Sequence, residues 1–110
     1  MQQNLRRQPR GPVNEAIRVS WHDPARGLVY LRGKCLDASK GGMRIRLPLP
    51  IPRQSVISIL ADGMSFAGNA SVRHVTRSGS YYCLGLELSH PIPASVLEKI
   101  DPAATVPVIL

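Results

Sequence analysis

Residues 37–47 read Asp-Ala-Ser-Lys-Gly-Gly-Met-Arg-Ile-Arg-Leu, a polar turn running directly into an alternating segment. Met43, Ile45 and Leu47 fall on one side, Arg44 and Arg46 on the other. A period of two is the signature of a strand with one face buried. In the turn, Asp37 and Ser39 are of the types whose side chains bond nearby backbone amides. Gly41 or Gly42 is expected to supply a positive φ.

The same period recurs on both sides. Upstream, Leu28–Leu36 places Val29, Leu31 and Cys35 on one face, and Glu15–Trp21 does so with Ile17, Val19 and Trp21. His22–Gly27 between them carries Pro and Gly and reads as a turn. Downstream, Pro48–Pro52 breaks the pattern and predicts an irregular crossing. Val56–Leu60 is a fourth strand, and Asp62-Gly63 signals a hairpin. Ser65–Thr76 is a long fifth strand, with a bend expected at Gly68. After Ser78-Gly79, Tyr81–Leu88 places Tyr82, Leu84, Leu86 and Leu88 on one face. Six short strands with turn signals predict an all-β barrel or sandwich, and a closed barrel leaves no exposed edge. Pro93–Ile100 is expected to form a short C-terminal helix, with Ile92, Val96, Leu97 and Ile100 on its apolar side. The expected organisation is an Arg-rich flexible arm over 1–12, a barrel with its helix over 13–100, and a tail over 101–110.

A chain of 110 residues suits one domain with a modest core. Fourteen Lys and Arg against seven Asp and Glu give a formal net charge of +7, which favours an anionic partner. Only Lys34, Lys40 and Lys99 are lysines, so the charge is mostly arginine, whose planar fork suits phosphate and guanine edges. Cys35 and Cys83 sit in apolar segments and read as reduced thiols. Met1–Pro12 has no apolar stretch of a secretory signal, and no run is long enough for a membrane-spanning helix, so a cytoplasmic setting without membrane insertion is expected. His22, His74 and His90 are scattered and show no metal-ligand spacing with the two cysteines. No nucleophile–base arrangement and no phosphate-binding glycine loop of the nucleotide-hydrolase type is visible, so neither a metal, a cofactor nor catalysis is expected.

The turn has a chemical reading as well as a structural one. An ionised Asp37 only accepts hydrogen bonds, and guanine presents two adjacent donors, N1–H and its amino group. Ser39 adds a small polar group, and glycine lets a flat ligand approach the backbone. Arg6, Arg7 and Arg10 carry the charge this loop lacks, since arginine forks grip guanine O6 and N7 and clamp phosphates. Taken alone, the loop also fits a plain turn and the arm a solvated basic tail.

Together the stretches form Arg6-x-x-x-Arg10 and Asp37-x-Ser39-x-x-Gly42, the second closed by a double glycine and an alternating strand. With the internal Gly85 of the last strand, this set resembles the PilZ domain, a family of bacterial receptors for cyclic di-GMP, over roughly residues 5–100. The resemblance implies a six-stranded antiparallel barrel followed by a helix. It also implies that Arg6 and Arg10 contact guanine and phosphate, with Arg7 beside them. Asp37 and Ser39 would hold the guanine edge, and Gly41 and Gly42 would give clearance. The arm would fold over the ligand and signal to a separate downstream effector protein. Leu5, just before the motif, looks more like single-ligand binding than binding of a stacked pair. Two other readings stand beside it. One is a small basic β-barrel that binds RNA or single-stranded DNA, which the 5% aromatic content argues against because such surfaces stack bases on aromatics. The other is a PilZ-like interaction domain that has lost its ligand. Trp21 reads as core. Arg44, Arg46, Arg73 and Arg77 read as solvated outer faces, with Arg44 or Arg46 within reach of a phosphate.

Overall fold

A computed structural model describes residues 11–64, 66–93 and 95. Its strands are β1 (Gly11–Asp23), β2 (Gly27–Ala38), β3 (Gly42–Leu47), β4 (Val56–Ala61), β5 (Phe66–Ser78) and β6 (Tyr81–Leu88). They close into an antiparallel barrel in the order β1-β2-β3-β6-β5-β4. Every expected strand is present within a few residues. The expected helix lies almost wholly outside the described residues, as do Arg6, Arg7 and Arg10.

Alternation builds the core. Ile17 and Val19 from β1, Met43, Ile45 and Leu47 from β3, Ile57 and Ile59 from β4, and Leu84 from β6 all point inward and are buried. Each such side chain stabilises the fold by about 1.5–3 kcal/mol relative to exposure. Trp21, Leu31, Val75 and Tyr82 pack partly buried against this core.

The connections follow local chemistry. Asp23 turns β1 into β2 by accepting the backbone N–H of Ala25 at 2.7 Å and of Arg26 at 3.3 Å, and Gly27 supplies a φ of 82°. The other positive-φ glycine among the described residues is Gly79, at 63°, so the positive φ expected at Gly41 or Gly42 is needed elsewhere. Asp62-Gly63 lies in a short 3-10 turn, Asp62–Met64, and β4 and β5 do form the expected hairpin. Residues 48–55 carry the chain from β3 to the far side of the barrel. There Ile51 plugs the core, and Gln54 N–H donates to the Val72 carbonyl at 2.7 Å.

Three register shifts break the strict pairing, the first of them between Pro12 and Glu15 where β1 meets β2. In β5 the shift falls between Val72 and His74, so the irregularity expected at Gly68 occurs further along the strand. It turns both Arg73 and His74 outward and returns Val75 to the core. The shift in β2 lies between Cys35 and Asp37.

Cys35 and Cys83 are both free, Cys35 buried and Cys83 half-buried. Burial pushes the Cys35 thiol up from 9.0 to about 12. The charges of Asp37 and Glu15 add to the rise, and a hydrogen bond to the Asp37 backbone opposes it. The folded state holds the proton more tightly than the unfolded state. Stability from this site is therefore fully present below pH 9.0 and is lost as pH climbs from there toward about 12. Urea midpoints are expected to fall along that alkaline limb, and to fall less steeply in Cys35→Ala. In the native protein a thiol reagent is expected to label Cys83 and spare Cys35.

Candidate functional site

The β2 register shift makes the site. Val29, Leu31 and Cys35 are the odd-numbered, inward residues of β2, so unbroken alternation would send Asp37 into the core. The extra residue reverses the phase, because a bulge sets two residues against one. Ala38 takes the core position opposite Met43, and Asp37 comes to lie opposite Arg44 on the outer surface.

Asp37 and Ala38 thus belong to the end of β2, and only Ser39, Lys40 and Gly41 form the connection to β3. Backbone hydrogen bonds hold this connection from two sides. Ser39 N–H donates to the Gly42 carbonyl at 2.9 Å, across the turn. Leu88 N–H donates to the Gly41 carbonyl at 3.0 Å, and Ile92 N–H to the Lys40 carbonyl at 2.8 Å. The segment after β6, anchored by buried Ile92, therefore buttresses the loop. Nothing in the sequence pairs residues so far apart, and this support was not legible there.

Among the described residues, the buried polar side chains are Asp37, 7% exposed, and Ser39, 4% exposed. Burying polar groups is unfavourable unless they are paired. Asp37 Oδ2 accepts from Arg44 Nε at 2.9 Å and lies 2.8 Å from Arg44 Nη2. The Arg44 side chain is 57% exposed, so solvent screens this pair and its contribution to stability is at most about 1 kcal/mol. The sequence pattern places Arg44 on a solvated face, with Arg44 or Arg46 within reach of a phosphate, and does not pair it with Asp37. The signal available was its position on the strand beside the loop, but the partner was hidden by the bulge. At Gly41 an added methyl group would meet nothing within 4 Å, so the backbone there is open to an approaching ligand. Gly41→Ala is therefore expected to leave the urea midpoint unchanged.

Arg46, two residues beyond Arg44 on the same face, lies 4.7 Å from the centre of the Tyr81 ring. Arg73 pairs with Glu87, Nε to Oε1 at 2.6 Å. His74 packs beside Gly85, in line with Arg44 across β6. Among the described residues no group of three His, Cys, Asp or Glu could hold a metal ion. None of the described helical segments is long and apolar enough to cross a membrane.

The family model for the PilZ domain matches residues 4–102. The chain belongs to the PilZ domain family. Solved structures agree on the fold. The PilZ domain of YcgR from Escherichia coli, determined with c-di-GMP, superposes with a TM-score of 0.57 at 14% identity, over 92% of this chain and 89% of that one. Bacillus subtilis MotI/DgrA, an inhibitor of motility, gives a TM-score of 0.62 at 15% identity over 88% of this chain. K. pneumonia MrkH in its c-di-GMP complex gives 0.62 at 16% identity over 90%. This PilZ chain spans 47% of MotI/DgrA and 49% of MrkH, about half of each. No curated protein matches the sequence.

Proposed function

We propose that this PilZ domain is a cyclic di-GMP receptor, a binding module rather than an enzyme, which holds a guanine edge at Asp37 and Ser39. The observation that carries this reading is the pair of buried polar side chains on a braced, glycine-containing loop. Membership of the PilZ family supports it, as do the ligand-bound structures of YcgR and MrkH. The phosphates fall to Arg6 and Arg10 of the arm, with Arg7 beside them and Gly42 giving clearance. Closure of the arm over the ligand changes the surface offered to an effector protein, so the ligand's preference for the closed state drives the signal.

Arg44 gives the binding step a physical form. A guanidinium and the donor edge of guanine both present neighbouring N–H groups to a carboxylate. Both Arg44 donors converge on Asp37 Oδ2, so Arg44 engages the carboxylate that the base would take, and ligand uptake replaces these contacts with those of guanine. Arg44→Gln is expected to change the affinity for cyclic di-GMP by less than about tenfold. It removes a competitor for the carboxylate and also a cation for the phosphate, and these effects oppose each other. Calorimetry reads the outcome, and a larger change in either direction contradicts the exchange.

The basic outer face, with Arg32, Lys34, Arg44 and Arg46 on neighbouring strands, would also attract a nucleic acid. Excess single-stranded RNA and excess GTP, added before cyclic di-GMP, discriminate the two. A cyclic di-GMP receptor retains its ligand heat in both cases. Binding to many phosphates is instead abolished by RNA and weakens steeply with salt.

A further inference from the structure

Toward the start of β2, away from the Asp37 end of the strand, the outer surface carries a second feature. On the outer faces of β2, β1, β4 and β5, Tyr30 stands opposite Ser20, Ser20 opposite Ser58, and Ser58 opposite Asn69. Ser58 Oγ donates to Asn69 Oδ1 at 3.0 Å, which fixes one end of this row. The next row runs Arg32, Arg18, Leu60 and Ala67. Two serines in the middle of one row, bounded by Tyr30, Arg18 and Leu60, leave a trough of about 480 Å³. That volume holds one or two large side chains.

The surroundings are apolar where a solvated sheet face would be polar. Of the exposed large hydrophobic residues, Tyr30 (74%), Val56 (64%), Leu28 (53%) and Leu60 (38%) all lie on the outer faces of β2 and β4. The charge beside the trough is unbalanced. Arg18 and Arg32 are directly opposite one another, an arrangement that repels. Asp62 neutralises Arg18 at 2.7 Å, whereas Arg32 has no ion-pair partner among the described residues. Exposed tyrosine and arginine around a small-floored depression is the composition of an interface centre, not of ordinary solvated surface.

We propose that this trough docks a partner protein that inserts an apolar side chain flanked by carboxylates. The apolar side chain fills the space above Ser20 and Ser58 against Tyr30 and Leu60, and a carboxylate pairs with Arg32. The chain's net charge of +7 steers such an acidic partner toward it. The proposal does not depend on the ligand assignment, because the trough shares no residue with the Asp37 loop.

The test is a titration of the isotope-labelled full chain, followed by amide shifts, with the probe peptide acetyl-Asp-Glu-Leu-Phe-Glu-Asp-amide. Shift changes are expected to cluster at residues 18–20, 28–32, 58–60 and 67–69. The double variant Tyr30→Ser, Leu60→Ser is expected to bind roughly tenfold more weakly or worse. Both positions are exposed, so the fold is retained, and an unchanged urea midpoint verifies this. Arg32→Gln is expected to lose the preference for this peptide over its Asn/Gln analogue. The proposal is overturned by an absence of shifts, by shifts centred on Asp37, or by equal binding in the double variant. It is also overturned if the trough is already occupied in the free protein. That would appear as a dimer that Tyr30→Ser dissociates, or as contacts from residues 101–110.

Discussion

Asp37→Ala is expected to weaken cyclic di-GMP binding by about a hundredfold or more while leaving the barrel folded. Two hydrogen bonds from guanine to one ionised carboxylate contribute about 1.5–3 kcal/mol each, and about 1.4 kcal/mol corresponds to tenfold in affinity. The stability effect is much smaller. The described partner of the carboxylate, Arg44, is 57% exposed, and Asp37, although itself only 7% exposed, is on the outer face of the barrel and not in its apolar core. A loss of about 1 kcal/mol in urea unfolding is expected. Asp37→Asn separates the two roles. It keeps the size and the turn chemistry, but its amide offers one acceptor and a donor that faces the donors of guanine. If Asp37 were only a turn residue, Asn would restore binding. In the receptor, Asn binds about as poorly as Ala.

Gly33→Val is expected to abolish cooperative folding, and Gly33→Ala to lower stability by about 2–3 kcal/mol. Gly33 faces inward on β2 opposite Ile17. A methyl group there would overlap the Arg46 backbone oxygen and the Leu47 side chain on β3. The Leu47 side chain can rotate, but the Arg46 carbonyl cannot retreat without opening the ladder between β2 and β3. Opening that ladder also disturbs the register in which Asp37 lies opposite Arg44, so Gly33→Ala is expected to lose ligand affinity together with stability. Gly41→Ala, with open space around it, is the control whose unfolding is unchanged.

The barrel was legible because half-buried strands announce themselves every second residue. Met43-Arg44-Ile45-Arg46-Leu47 could be assigned its inner and outer faces without any partner strand, and so could Tyr82 through Leu88. The bulges were not legible. Cys35-Leu36-Asp37 looks like continued alternation, and only pairing with β3 shows that one residue is skipped. That one residue decides whether Asp37 is an uncompensated charge in the core or an acceptor at the surface. The fifth strand shows the same limit. Gly68 drew attention as a glycine, yet its role is to leave room for the Phe66 ring, while the shift falls at Arg73 among residues with no turn signal. The loop's support from Leu88 and Ile92 depends on contacts across some fifty residues of chain, which no local pattern encodes. Motif spacing did identify Asp37 and Ser39, because the chemistry of that loop is carried by residues close together in sequence. The arginines of the arm are candidates on motif spacing alone, since residues 1–10 lie outside those described.

The most direct measurement is a calorimetric titration of the full chain with cyclic di-GMP at physiological ionic strength, beside Arg10→Ala and Asp37→Ala. A saturable heat in the wild type that resists excess GTP, and that both substitutions reduce severely, is the predicted result. A folded wild-type protein that gives no heat with cyclic di-GMP would contradict the receptor assignment. Full binding in both variants would contradict the site.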